Sequence, residues 1–286
     1  MPTYAVPRCA ANRDRRSILG VVALALAASL GGCMTDKEAT GSIGMSALPA
    51  TDAGLRDFAA TWGRRHDADP GDVNASINYA RALRGLAQYA QATAILEAAA
   101  IKHPYDRAVL AAYGKALADA GRPREAQEVL SRAHTPDKPD WSVLSAQGSV
   151  SDQLGDHAAA VNYYEAALKI RPGEPSVMSN LGLSYALARQ LPQAENALRI
   201  AAADARADMR VRQNYALVLS LEGKFRQAEA IAATDLSPAD AGASVDAIRQ
   251  MIARSETWRS IQKAGTAKAA RVPGRPGAMP AEPPPG

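Results

Sequence analysis

The chain has 286 residues, 47% of them hydrophobic but only 5% aromatic, with two cysteines and a formal net charge of +4. This composition suits helices packed through alanine and leucine rather than a β-rich domain, and two cysteines cannot form a disulfide framework. Residues 1–32 hold Arg8, Arg13, Arg15, Arg16 and Asp14, a net +3 of the total +4, so the remaining +1 gives no support to nucleic-acid binding.

That basic start is followed by Ile18 to Leu30, an almost wholly apolar run, which reads as a targeting segment. Its 13 residues would make a helix of only ~20 Å, short of the ~30 Å hydrocarbon core, so a signal peptide is expected and not a permanent span. The run ends in Leu30-Gly31-Gly32-Cys33, which resembles the bacterial lipobox. The resemblance implies cleavage before Cys33 and a covalent diacylglycerol and N-acyl lipid on that residue, with no cofactor. An ordinary secretory signal that happens to contain a cysteine is the other reading. Cys9 leaves with the signal, so the mature chain keeps one acylated cysteine and no intrachain disulfide is possible. Met34 stands where Asp commonly marks inner-membrane retention in enteric lipoproteins, which favours the outer membrane.

Residues 33–54 are small and polar, without a helical period, and are expected to be a flexible tether. Leu55 to Asp67 is amphipathic, with Phe58 and Trp62 one turn apart on one face, and Asp69-Pro70-Gly71-Asp72 ends it. We read residues 55–72 as the second helix of an incomplete leading repeat, capping the N-terminal face of a helical array that begins at residue 73.

The segment from Trp141 to Glu174 reads as two amphipathic helices folded back on each other. Leu144, Gln147, Gly148 and Ser151 share one helical face, Gly155-Asp156 makes the turn, and Ala160, Tyr164, Ala167 and Leu168 rebuild an apolar face before Pro172. Steps of 34 residues from Gly148 land on Ala80, Gly114, Gly182 and Ala216, all small. The same step from Ala160 lands on Ala92, Ala126, Ala194 and Ala228, where two helices must approach closely. Leu96, Leu130, Tyr164 and Leu198 share a large-residue position, and Gly121, Gly155 and Gly223 a turn position. Five hairpins succeed one another without a gap, at 73–106, 107–140, 141–174, 175–208 and 209–242.

This small, Ala, Ala, Pro pattern resembles the tetratricopeptide repeat, which implies an all-α, right-handed α-solenoid. Two departures touch the ends of second helices: Lys138 lies between Pro136 and Pro139 in the second unit, and the fifth degenerates after Ala230. Ser244 to Lys263 is expected to close the 55–263 solenoid as a capping helix, with Ser244 at its N-cap. From Ala264 to Gly286 the Pro- and Ala-rich composition offers no apolar face and reads as a disordered tail.

Catalytic chemistry finds no support. His66, His103, His134 and His157 share no repeat position and read as surface or turn residues. No phosphate-binding glycine loop or GxSxG motif is present, and pairs such as Glu125/Glu128 and Asp152/Asp156 read as solvated faces. The repeat resemblance implies a groove lined by first helices that takes a partner's segment. In the family's register its positions hold Asn78, Arg81, Arg84, Lys115, Asp119, Ser145, Ser149, Asp152, Asn180, Arg210, Gln213 and Asn214. Asn78, Asn180 and Asn214 share one place, where an amide could meet a partner's backbone. The set of basic residues with which chaperone-binding members clamp a C-terminal carboxylate is incomplete.

Longer segments carry a second resemblance: SINYARAL at 76–83, AAYGKALADAG at 111–121, KPDWSVLSAQG at 138–148, GEPSVMSNLGLSYAL at 173–187 and RVRQNYALVLSLEGKF at 210–225, with the lipobox, Trp62 and Trp258. Together they look like the TadD family, the tetratricopeptide lipoproteins of the tight-adherence (Flp) pilus assembly system. That resemblance implies a non-enzymatic, lipid-anchored outer-membrane protein facing the periplasm. Its expected partner is the pilus secretin or another assembly component, in a pilotin-like or scaffolding role. A tetratricopeptide lipoprotein of outer-membrane protein insertion and an accessory subunit of a cell-wall-remodelling enzyme are the alternatives.

Overall fold

The computed structural model describes residues 48–49 and 51–270, with side chains through Ser255. The signal peptide, residues 33–47 and 50 of the expected tether, Cys33 among them, and residues 271–286 lie outside the described residues. Among the described residues there are twelve helices and no strand. They are α1 Asp52–Ala68, α2 Val73–Gly85, α3 Tyr89–Lys102, α4 Arg107–Asp119, α5 Pro123–Ser131 and α6 Trp141–Gln153. The chain continues with α7 His157–Ile170, α8 Pro175–Leu187, α9 Leu191–Ala203, α10 Met209–Leu221, α11 Phe225–Ala232 and α12 Pro238–Ala270. It forms two compact units, one through Val211 and one from Arg212.

The 34-residue register fixes helix starts through a carboxylate that recurs just before each first helix. Asp72 accepts from Ala75 N (3.1 Å) and Asp106 from Ala108 N (2.8 Å). Asp140 accepts from Ser142 N (2.7 Å) and Asp208 from Val211 N (2.9 Å). Each supplies an acceptor that the open helix end lacks, worth about 1 kcal/mol. Glu174 stands at the same place but is not a cap: it pairs with Arg171 Nε (3.0 Å) and Arg206 Nη1 (3.1 Å), and Pro175 opens α8 without needing an N–H partner. Each hairpin then turns on one left-handed residue, Ala87, Gly121, Gly155, Arg189 and Gly223, with φ of +57°, +73°, +85°, +62° and +79°.

In the first unit each hairpin closes by setting a large side chain of the second helix on a small residue of the first. A Cβ on Gly114, Gly148 or Gly182 would lie 2.5, 2.7 or 2.6 Å from Leu130, Tyr164 or Leu198, so only glycine leaves room for those fully buried side chains. Successive helices pack in chain order, and α2, α4, α6 and α8 also touch in series, the arrangement of a helical solenoid. Connecting turns are clasped one repeat later: Lys102 Nζ donates to Pro70 O (3.0 Å), Arg132 Nη2 to Pro104 O (2.9 Å) and Arg206 Nη2 to Gly173 O (3.0 Å).

The leading helix begins at Asp52, capped by Thr51, three residues before the expected start. Phe58 and Trp62 do lie together, with ring centroids 5.9 Å apart. Leu55, Ala59 and Gly63 face the next helix and are buried, while Trp62 is half-buried, because no first helix covers it among the described residues. The second helix of the second repeat is short, nine residues, and the chain turns through Pro136 and Pro139 before α6.

In the second unit, Arg212 and Asp235 form a two-pronged ion pair, with both bonds 2.6 Å. Here the expected closing helix requires correction. α12 starts at Pro238, within the span assigned to the fifth hairpin, and Ser244 is an interior residue. The cap is Ser237, whose Oγ accepts from Asp240 N (3.2 Å) and donates to its carboxylate (2.6 Å). The helix also continues past Lys263 to Ala270.

Candidate functional site

Polar residues on the first helices are expected to face a partner, and the structure divides them. Asn78 is fully buried: its Nδ2 donates to Asn74 O (3.0 Å) and its Oδ1 accepts from Arg81 Nη1 (3.2 Å). Its amide is used inside the fold, so the expectation of an outward-facing Asn78 is corrected. Arg81, Ser145, Asn214 and Arg84, expected in the groove, are buried too. Arg84 Nε donates to Asp119 Oδ2 at 2.6 Å, joining α2 to α4 with both side chains 10% exposed. Lys115 Nζ donates to Ser142 Oγ (3.2 Å), joining α4 to α6, and Ser142 Oγ donates in turn to Asp140 (2.7 Å). Burial pushes the Asp140 carboxyl up, but the Ser142 hydroxyl, the Val143 N–H and the Lys115 charge outweigh it and hold it below its ordinary value.

Asp152, expected on a solvated face, is instead the centre of a buried network. Its carboxylate accepts from Ser184 Oγ of α8 (2.9 Å), from Tyr164 OH of α7 (3.2 Å) and from His157 Nδ1 of α7 (2.8 Å), so it ties three helices. Burial raises the Asp152 pKa above its ordinary value, with the bonds from His157, Ser184 and Tyr164 opposing. Burial, then the neighbouring Asp152 charge, puts the Tyr164 hydroxyl well above its own. Ser184 donates to the carboxylate and not to the imidazole, so the group positions helices and activates no nucleophile. His157 therefore has a buried partner, and His66 and His134 likewise meet Ser76 and Gln147 at 3.1 Å.

Lys115, Ser149, Asn180 and Arg210 are half-buried, so the first-helix face of the first unit keeps polar atoms within a partner's reach. Arg210 also lies 3.9 Å from Asp208. Among the described residues no three of His, Cys, Asp and Glu gather as a metal-ion site, and no helix is long and apolar enough to cross a membrane. The carboxylate caps are not among the sequence expectations, although their signal, one Asp every 34 residues from Asp72 to Asp140 and again at Asp208, is present in the chain.

Residues 142–174 match the tetratricopeptide repeat family. No curated protein matches the sequence. Among solved structures, the chain is similar to PilW, described as a widely conserved type IV pilus biogenesis factor, with TM-score 0.55 and 19% identity over 64% of this chain and 86% of that one. It is also similar to a chain of the APC/C hetero-tetramer Cut9-Hcn1, with TM-score 0.53 and 20% identity over 67% of this chain but only 39% of that one. A monomeric IFIT1 mutant with Gppp-AAAA gives TM-score 0.55 and 15% identity, over 62% of this chain and 45% of that one. At these identities the likeness establishes the fold, an all-α tetratricopeptide solenoid, which is typically a non-enzymatic scaffold for protein binding.

Proposed function

We propose that this chain is a lipid-anchored scaffold of tight-adherence (Flp) pilus assembly at the outer membrane, pilotin-like for the secretin. The observation that carries it is the series of TadD-like segments between residues 76 and 225, together with the lipobox ending at Cys33. The scaffold fold and its likeness to a type IV pilus biogenesis factor support the reading. The partner's segment lies along the first helices, meeting Lys115, Ser149, Asn180 and Arg210, because the buried Asn78 and Asn214 are closed to it. Acyl chains on Cys33 hold the protein at the membrane, each buried methylene contributing about 0.8 kcal/mol.

The test is a gene deletion complemented by the wild type, by Cys33→Ser and by Ser149→Leu/Asn180→Ala/Arg210→Ala. Surface pili and the secretin content of the outer membrane are measured, and crosslinked partners are identified by mass spectrometry. The deletion and Cys33→Ser should lose pili and secretin placement, and the triple variant should lose secretin crosslinks while staying folded. Normal piliation in the deletion strain removes the pilus function, and crosslinks to insertion machinery or cell-wall enzymes in place of the secretin transfer it to one of the alternatives.

A further inference from the structure

Charge is segregated along this chain. Residues 34–246 sum to −4, whereas residues 247–286 hold seven Lys and Arg against two Glu, +5, which together make the +1 left after the leader. Such an asymmetry marks a segment for contact with an anionic surface. Five of the seven basic residues, Arg249, Arg254, Arg259, Lys263 and Lys268, lie on α12.

The first part of α12 is a packing element: Ala241 and Val245 are buried, Ile248 and Ile252 are half-buried, and Arg249 lies over the Phe225 ring at 4.4 Å. α12 has 33 residues, about 50 Å of helix, and α11 has eight, about 12 Å. Already at Met251 and Arg254 the side chains are exposed.

We propose that the basic half of α12, from Arg254 to Lys268, binds the anionic phospholipid headgroups of a membrane surface. Four cations against the single Glu256 give the helix a field that an anionic bilayer attracts, worth roughly fivefold in affinity per Lys or Arg within a Debye length. Trp258 lies in the same run, a residue type that settles at the headgroup boundary, which favours lipid over nucleic acid or an acidic protein. This contact is separate from acylation of Cys33: a lipid chain tethers the protein, and the basic helix lays its C-terminal unit on the surface.

The test uses the chain from residue 34 onward, which contains every described helix and lacks the anchor, so that failure here and failure of the lipoprotein reading are distinct. It is sedimented with vesicles of phosphatidylcholine alone or about half phosphatidylglycerol, at low and high salt. Binding is expected only to the anionic vesicles, and to be lost at high salt. Arg254→Gln/Arg259→Gln/Lys263→Gln/Lys268→Gln should weaken it by more than about 50-fold. Neutralising exposed Arg64, Arg107, Arg124 and Arg226 instead should change it by less than about fivefold, with circular dichroism confirming that both variants keep their helices. Equal binding to both vesicle types, an unchanged quadruple variant, or retention on DNA or an acidic protein without binding to anionic vesicles overturns the proposal.

Discussion

Gly148 and Tyr164 leave no room between them: a Cβ on Gly148 would lie 2.7 Å from Cε1 of the tyrosine ring. The ring is fully buried and its hydroxyl is held by Asp152, so it cannot swing aside. Gly148→Ala gains about 1 kcal/mol of helix propensity but forces an overlap that costs about 1–3 kcal/mol or more. A lower melting temperature is expected. In the first repeat the same place is Ala80, whose methyl is fully buried, and Ala80→Gly should also destabilise, by lost burial and helix propensity, which thermal melting of the two variants checks.

Ala87 and Arg189 occupy the left-handed turn position that glycine fills in three other repeats. A non-glycine residue there bears about 1–2 kcal/mol of strain, against about 0.4–1 kcal/mol of extra unfolded-chain entropy for glycine. Both residues are at least partly exposed and neither packs in the core, so nothing else changes. Ala87→Gly and Arg189→Gly should each stabilise by about 0.5–1 kcal/mol in denaturant titrations, whereas destabilisation would show that the turns are not held left-handed in solution.

Asn78→Ala should destabilise by about 1–3 kcal/mol, since it removes an acceptor from the buried Arg81 and leaves a gap where a fully buried side chain stood. The half-buried Asn180→Ala should stay within about 0.5 kcal/mol. Equal effects in chemical denaturation would mean that burial does not separate these two asparagines.

The raised pKa of Asp152 has a definite sign. Folding favours its protonated form, so its contribution is fully present below the unfolded value of 3.8 and is lost as pH rises through the higher folded value. Asp152→Asn has no such titration. The melting temperature of the variant minus that of the wild type should therefore grow as pH rises from about 3 to neutrality. Parallel profiles would show that the carboxylate does not titrate differently in the fold. Ser184→Ala, which removes one donor to the carboxylate, should steepen the wild-type loss.

The period, the small-against-large contacts and the turn positions are legible without coordinates, because each is a local or repeating property of the chain. A glycine at Gly114, Gly148 and Gly182 and a large side chain sixteen residues later state a helix contact by spacing alone. The start of the last helix is less legible: Ser237 and Ser244 both carry a capping hydroxyl, and burial of Ala241 and Val245 decides for the earlier one. Polar residues of the first helices are the least legible. Whether Asn78 faces a partner or Arg81, whether Arg84 stays in solvent or meets Asp119, and whether Asp152 is solvated or ties three helices depend on how closely adjacent first helices approach. That approach is set by the summed packing of many side chains across repeats, and no spacing within one repeat encodes it.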